Sequence, residues 1–243
     1  MAENREIQRA QLKDKIATAI SIVEYEVSDM MGHVSARSPE GDRFLLRHIR
    51  PPIDPRVPED DVLEFDLTGK RLSGLREAGG SGFEIYFFTG PYNANKQTGA
   101  VIHCHPPMAL ALVAAGQKVV GITHRHKFDE VPVVPWVYGS LPEHGEIVTQ
   151  ALQHCCAVII ESHGAVITGE TLEEACVNTI QLERTAKMIL LAGALGPVKP
   201  VARDAVQKFE SLVEVRQTKS GQALAEWRYY ERLVKRGERW SRL

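Results

Sequence analysis

The chain has 243 residues, 44% of them hydrophobic, which supplies a core for one α/β domain of the roughly 200 to 250-residue kind. Lysine and arginine total 29 against 31 acidic residues, and the net charge of −2 offers no global positive field for nucleic acid or an anionic membrane, so a small molecule is the expected partner. No stretch approaches the roughly 18 apolar residues of a membrane span, and residues 1–12 lack a signal-peptide core, so a cytoplasmic location is expected.

Ile7, Leu12, Ile16, Ile20, Val23 and Val27 keep a helical stripe that Gly32 breaks, predicting a first helix. His33-Val34-Ser35-Ala36-Arg37 and Phe44-Leu45-Leu46, separated by Ser38-Pro39-Glu40-Gly41, predict a hairpin. The proline-rich residues 51–58 predict a loop, and residues 62–67 alternate as a strand closed by Thr68-Gly69-Lys70. A short helix is expected at residues 85–92 after Gly79-Gly80-Ser81-Gly82. A strand at residues 100–103 is halted by Pro106-Pro107, and a helix follows at 108–115. Residues 131–137 predict an edge strand because of their two prolines, and residues 158–160 a core strand. Thr171-Leu172-Glu173-Glu174 matches a capping box for a helix that stops near Gly193. A further helical stretch passes through Val206, Phe209 and Val213, and an amphipathic tail runs over residues 222–243. The tail's arginines are interleaved with Glu226, Glu231 and Glu238, as in a solvated or subunit-facing helix.

The four cysteines, Cys104, Cys155, Cys156 and Cys176, include no Cys-x-x-Cys pair, which argues against a disulfide framework or a thiolate zinc knuckle. They read as reduced and mostly buried thiols, with the adjacent Cys155 and Cys156 packed beside the following strand.

The chemistry-bearing residues concentrate near strand ends. His103-Cys104-His105 sets two imidazoles on one side of a strand, and His163 in Glu161-Ser162-His163-Gly164 follows a core strand, at the turn toward the capped helix. Three neutral imidazoles suit a divalent Zn, Mn, Fe or Co ion and leave positions open for substrate. By spacing alone, ordinary strand-end histidines fit His103 and His105 equally well. His124-Arg125-His126 has the same spacing, but the charged residues after it predict an exposed loop. Glu84 follows Ser81-Gly82-Phe83 and lies nineteen positions before His103, where a carboxylate would serve as acid or base if a metal were near.

The ordered set Gly32-His33-Val34-Ser35-Ala36-Arg37, Ser81-Gly82-Phe83-Glu84, Val101-Ile102-His103-Cys104-His105-Pro106 and Ser162-His163-Gly164-Ala165 resembles the class II aldolase/adducin family. The resemblance implies a single-domain α/β fold with a central sheet covered by helices, a core at about residues 10–195 and a C-terminal helical extension at 200–243. It further implies a catalytic divalent metal on His103, His105 and His163, Glu84 as acid/base, and a homotetramer. Adducin-type members lack the metal histidines, so retention of all three favours an enzyme over a binding module.

Two departures bear on substrate. Sugar-phosphate members of the family typically carry Gly-Asn in the first motif and two serines before the glutamate. This chain has Gly32-His33 and Ser81-Gly82, and an imidazole at 33 intrudes on a phosphate cradle. Arg47 and His48 offer a clamp for an acidic substrate, with His33 as a further contact, and Tyr229 or Tyr230 would close the pocket. These features resemble the family's hydroxyaryl and hydroxypyridine dicarboxylate decarboxylases. An aldolase or epimerase acting on a hydroxy-ketone or sugar phosphate is the alternative.

Overall fold

The structure is a computed structural model that describes residues 2–27, 31–48, 62–73, 84–123, 128–202, 204–206, 208, 211 and 219–236. The first helix, α1 (Ala2–Val27), leads into the hairpin β1 (His33–Arg37) and β2 (Arg43–His48), then β3 (Leu63–Asp66) and β4 (Arg71–Ser73). After α2 (Tyr86–Ala94) come β5 (Ala100–Cys104), α3 (Pro107–Ala114), the two-residue β6 (Val133–Val134) and α4 (Pro142–Ala151). The hairpin β7 (Ala157–Ile160) and β8 (Gly164–Gly169) precedes the long α5 (Leu172–Gly193), and α6 spans Lys219–Arg236.

Among the described residues the strands form one eight-stranded sheet in the order β4-β3-β2-β1-β5-β8-β7-β6. Every neighbouring pair is antiparallel except β6 with β7. Because side chains alternate across a strand, the sheet builds two cores. Val34, Ile102, Ile159 and Ile167 face α1, α3, α5 and α6, where Ile16, Ile180, Trp227 and Tyr230 are buried. Phe44, Leu46, Val101, Val158 and Val166 face α2 and the β6 edge, against Phe87, Phe88 and Tyr92.

Helix α5 starts where its sequence says it should. The Thr171 hydroxyl accepts from Glu174 N at 3.1 Å, and the Glu174 carboxylate reaches back to Glu170 N at 2.9 Å. A buried Glu183 further along α5 accepts from Met108 N at 3.0 Å and Ala109 N at 3.2 Å, satisfying orphan donors at the start of α3.

Several expectations change. Only Val133 and Val134 of the anticipated edge strand pair with the sheet, because Pro132 and Pro135 flank them and prolines cannot donate to a ladder. Helix α4 was not expected, although Pro142 at its start and Glu143 in its first turn are helix-start residues. Strand β8 was not expected either, so His163 stands in a hairpin turn rather than on the way into the capped helix. Tail helix α6 turns Ala223, Trp227 and Tyr230 into the chain's own core. The expected loop at 51–58, the segment His124–His126, Phe209 and Val213 lie outside the described residues.

Candidate metal centre

Strand β5 presents His103 on the sheet face that packs α2, and His105 follows two residues later on the same side. His163 comes to them through the β7–β8 turn, which bends back sharply with Ser162 at φ 53°. Gly164 makes that approach possible. A Cβ there would stand 2.7 Å from Cys104 O, 2.9 Å from His103 Cε1 and 3.0 Å from His105 Cδ2. One ligating atom from each of His103, His105 and His163 lies within 4.8 Å of the other two.

Backbone carbonyls set the tautomers of two of these rings. His103 Nδ1 lies 2.9 Å from Ala165 O, and His163 Nδ1 lies 2.7 Å from Val137 O. A carbonyl only accepts, so each ring carries a proton on Nδ1 and, when neutral, turns an Nε2 lone pair inward. Such outer hydrogen bonds are what orient metal-binding imidazoles.

Glu84 enters from the residues just before α2. Its Oε2 lies 2.9 Å from His103 Nε2 and its Oε1 lies 3.1 Å from His163 Nε2. Gly139 N donates to Oε1 at 3.3 Å, and a Cβ on Gly139 would press on Glu84 Cβ at 2.6 Å. Burial pushes the Glu84 carboxyl up, but His103 and His163 outweigh it and hold it well below the usual range. Burial lowers His103 despite Glu84, whereas for half-buried His163 the same burial is outweighed by Glu84 and the pKa rises. A carboxylate 2.9 and 3.1 Å from two Nε2 atoms is stable there with a positive charge among them, either a proton on Nε2 that Glu84 accepts or a metal ion. Three nitrogen donors and one carboxylate therefore fit a divalent metal.

Aromatic rings wall the centre. Phe87 packs edge-on to His103 with centroids 5.2 Å apart, and Tyr138 lies tilted 6.2 Å from His163. His33 pairs with His103 across β1 and β5 and stacks on it at 6.1 Å. Phe87, Tyr138 and Gly139 were not singled out from sequence. Phe87 sits three residues after Glu84 on one side of α2, the only sequence cue to its place.

Among the described residues, Arg47, Tyr229 and Tyr230 do not reach the centre in this chain. Arg47 pairs with Val34, so strand alternation sends it to the face packed by α1, away from His103. Tyr230 is buried on that same opposite face, with Arg184 5.3 Å over its ring, and Tyr229 packs beside it. The backbone of His48 pairs with that of His33, its side chain lies beyond the described structure, and Ser81 and Gly82 are outside the described residues.

The family model for the class II aldolase and adducin N-terminal domain matches residues 11–190. The chain belongs to this family. Among its relatives is a 3-oxo-tetronate 4-phosphate decarboxylase from Pectobacterium atrosepticum, 26% identical over a stretch covering 54% of this chain and 61% of that protein. A 4-hydroxy-3-prenylphenylpyruvate oxygenase/4-hydroxy-3-prenylbenzoate synthase from Streptomyces roseochromogenus is 24% identical over 79% of this chain and 72% of that protein. The solved L-fuculose 1-phosphate aldolase from Glaciozyma antarctica has the same fold, with a TM-score of 0.73 and 23% identity over 96% of this chain and 94% of that one. With the decarboxylase, the matched stretch spans about three fifths of the relative's length.

Proposed function

We propose that the protein is a divalent-metal-dependent carbon–carbon lyase, a decarboxylase of an ortho-hydroxylated aromatic or heteroaromatic acid such as a dihydroxyphthalate or a hydroxypyridine dicarboxylate. The observation that carries this reading is Glu84 held at 2.9 and 3.1 Å from Nε2 of His103 and His163, a carboxylate placed where it could handle a proton beside three imidazoles. His103, His105 and His163 would hold the ion, whether Zn, Mn, Fe or Co, which supplies Lewis acidity toward a hydroxyl and carboxylate pair.

The chain's own residues do the rest. Glu84 is ionised at neutral pH by its partners, so it accepts the proton of the ortho hydroxyl. The ring-to-carboxylate bond then breaks, carbon dioxide leaves, and Glu84 returns the proton to the ring carbon. Phe87 shields the carboxylate side from water, and Tyr138 offers a ring face to a planar substrate. His33 fills space where a phosphate would need small side chains and N–H donors. Of the expected second-carboxylate contacts, His33 stands on this face, with His48 at the paired position of β2, and Arg47 is on the other.

The relatives supply two hints of different direction. One is named for an aromatic product and one for a phosphorylated oxo-acid, so an aldolase, epimerase or decarboxylase acting on a sugar phosphate is the competing reading. The family likeness also carries the reading of a homotetramer. The test is a panel of hydroxyaryl dicarboxylates, hydroxyaryl monocarboxylates and ketose phosphates given to metal-loaded protein. Carbon dioxide from a hydroxyaryl acid is the expected result. Cleavage or epimerisation of a sugar phosphate, with no carbon dioxide from any aryl acid, would overturn the decarboxylase. No turnover of any substrate by protein that also fails to bind metal would favour a non-catalytic binding module.

A further inference from the structure

His144 stands outside the centre described above, half-buried in the first turn of α4. Its ring reaches back from the helix to the segment that precedes it. Tyr138 N donates to His144 Nδ1 at 2.9 Å, and Tyr138 O lies 3.0 Å from the same atom. Nδ1 therefore meets a partner on Tyr138 whether it carries a lone pair or a proton. Trp136 packs edge-on against the ring, with centroids 6.5 Å apart.

The residues on either side of Tyr138 serve the centre, as Tyr138 itself does. Val137 O holds His163 Nδ1 at 2.7 Å, the Tyr138 ring lies against His163, and Gly139 N donates to Glu84 Oε1 at 3.3 Å. Gly139 O also accepts from Tyr86 N at 2.9 Å. Residues 137–139 belong to no helix or strand, so no ladder fixes their position. Helix α4 supplies the anchor. A Cβ on Gly145 would stand 2.5 Å from Tyr86 Cβ and 2.7 Å from Tyr86 O, so α4 is seated directly on the start of α2. A closed circuit results, from Glu84 and Tyr86 through Gly145 and His144 to Tyr138 and Gly139.

We propose that His144 is a positioning residue for the metal centre: by holding Tyr138 it sets Val137 O against His163 and Gly139 N against Glu84. The proposal rests on the three-histidine centre and not on the identity of the substrate. His163 is the ligand that depends on it, because the Val137 carbonyl bonded to its Nδ1 orients the ring and aims Nε2 inward. His103 takes its outer bond from Ala165 on β8 and keeps it. Losing the outer partner of a ligating imidazole costs roughly 10 to 100-fold in metal affinity, and His144 acts one bond further out, so a loss of about tenfold is expected.

The test is cobalt(II) titration of the full-length protein, followed by visible absorption, whose bands report the geometry of the ligands. His144→Ala removes the bonds to Tyr138 at a half-buried helix position where alanine is well tolerated. It should bind cobalt about tenfold more weakly than wild type, with altered bands. His144→Asn puts an amide oxygen near the place of Nδ1 and should restore both affinity and spectrum. Thr149→Val removes a different α4 bond, from Thr149 Oγ1 to Gly145 O at 2.7 Å, and should leave both at wild-type values. Wild-type affinity and bands in His144→Ala would overturn the proposal and leave the centre standing. So would a His144→Asn protein no better than His144→Ala, or an equal loss in Thr149→Val. A wild type that binds no cobalt would overturn the centre, and this proposal with it.

Discussion

Glu84 Oε2 stands 2.9 Å from His103 Nε2 while the opposite nitrogen of that ring is held by Ala165 O, so the histidine's lone pair and the carboxylate point at a common spot. Both groups are buried, His103 completely and Glu84 with 5% of its surface exposed. In so dry a place the carboxylate needs a positive charge beside it, from a proton on an imidazole or from a metal ion.

Glu84→Gln keeps the size of the side chain and removes its capacity to take up a proton. Turnover should fall by about a hundredfold to ten-thousandfold, with substrate binding largely retained. Steady-state kinetics on the responsive substrate checks this. A wild-type rate would remove Glu84 from the proton path.

Gly164→Ala tests the approach of the hairpin turn to β5. The new methyl would meet Cys104 O at 2.7 Å and two imidazole carbons at 2.9 and 3.0 Å. Overpacking of this kind costs about 1 to 3 kcal/mol. Because the clash falls on the histidines, metal affinity should drop along with thermal stability, and titration of the variant with Zn or Mn reads the difference.

Glu183→Ala leaves Met108 N and Ala109 N, at the start of α3, without their acceptor. The expected loss is about 1 to 3 kcal/mol, from buried donors left unsatisfied. Thr171→Ala, which removes only a helix cap on a more exposed turn, should cost about 1 kcal/mol. Denaturant melts of both variants give the ordering, and an equal or reversed loss would contradict the role assigned to Glu183.

The pH dependence of the metal-free protein has a definite sign from Glu84. Its carboxyl is held below the ordinary value, so the stability it contributes is present above that value and is lost as pH falls through the depressed one. Metal-free wild type should therefore lose more stability on acidification than metal-free Glu84→Gln. Melting temperatures across the acid range measure it.

Much of this was legible in the chain because local rules carried it. The hairpin turn at residues 38–42, the cap at Thr171 and the side shared by His103 and His105 all follow from residue type and a period of two or of 3.6. Strand β8 was missed because Gly164 and Gly169 bracket a short apolar run, and glycines at both ends read as a turn. Helix α4 was missed because Pro142 and Gly145 interrupt its pattern. The place of Arg47 was within reach. Pairing His33 with His48 puts Arg47 opposite Val34, and alternation then separates it from the histidines. The convergence of Glu84, Gly139 and Tyr138 on His163 arises from distant segments, and no local period encodes it.

The most direct measurement is metal content after loading and dialysis, by inductively coupled plasma mass spectrometry, on wild type and on His103→Ala, His105→Ala and His163→Ala. Wild type should retain a stoichiometric divalent ion, and each variant should lose most of it, because a site left with two imidazoles binds first-row metals poorly. His163→Ala is the sharpest case, since its ligand arrives from a separate hairpin while His103 and His105 stay in place on β5. Full occupancy in His163→Ala would contradict the three-histidine centre.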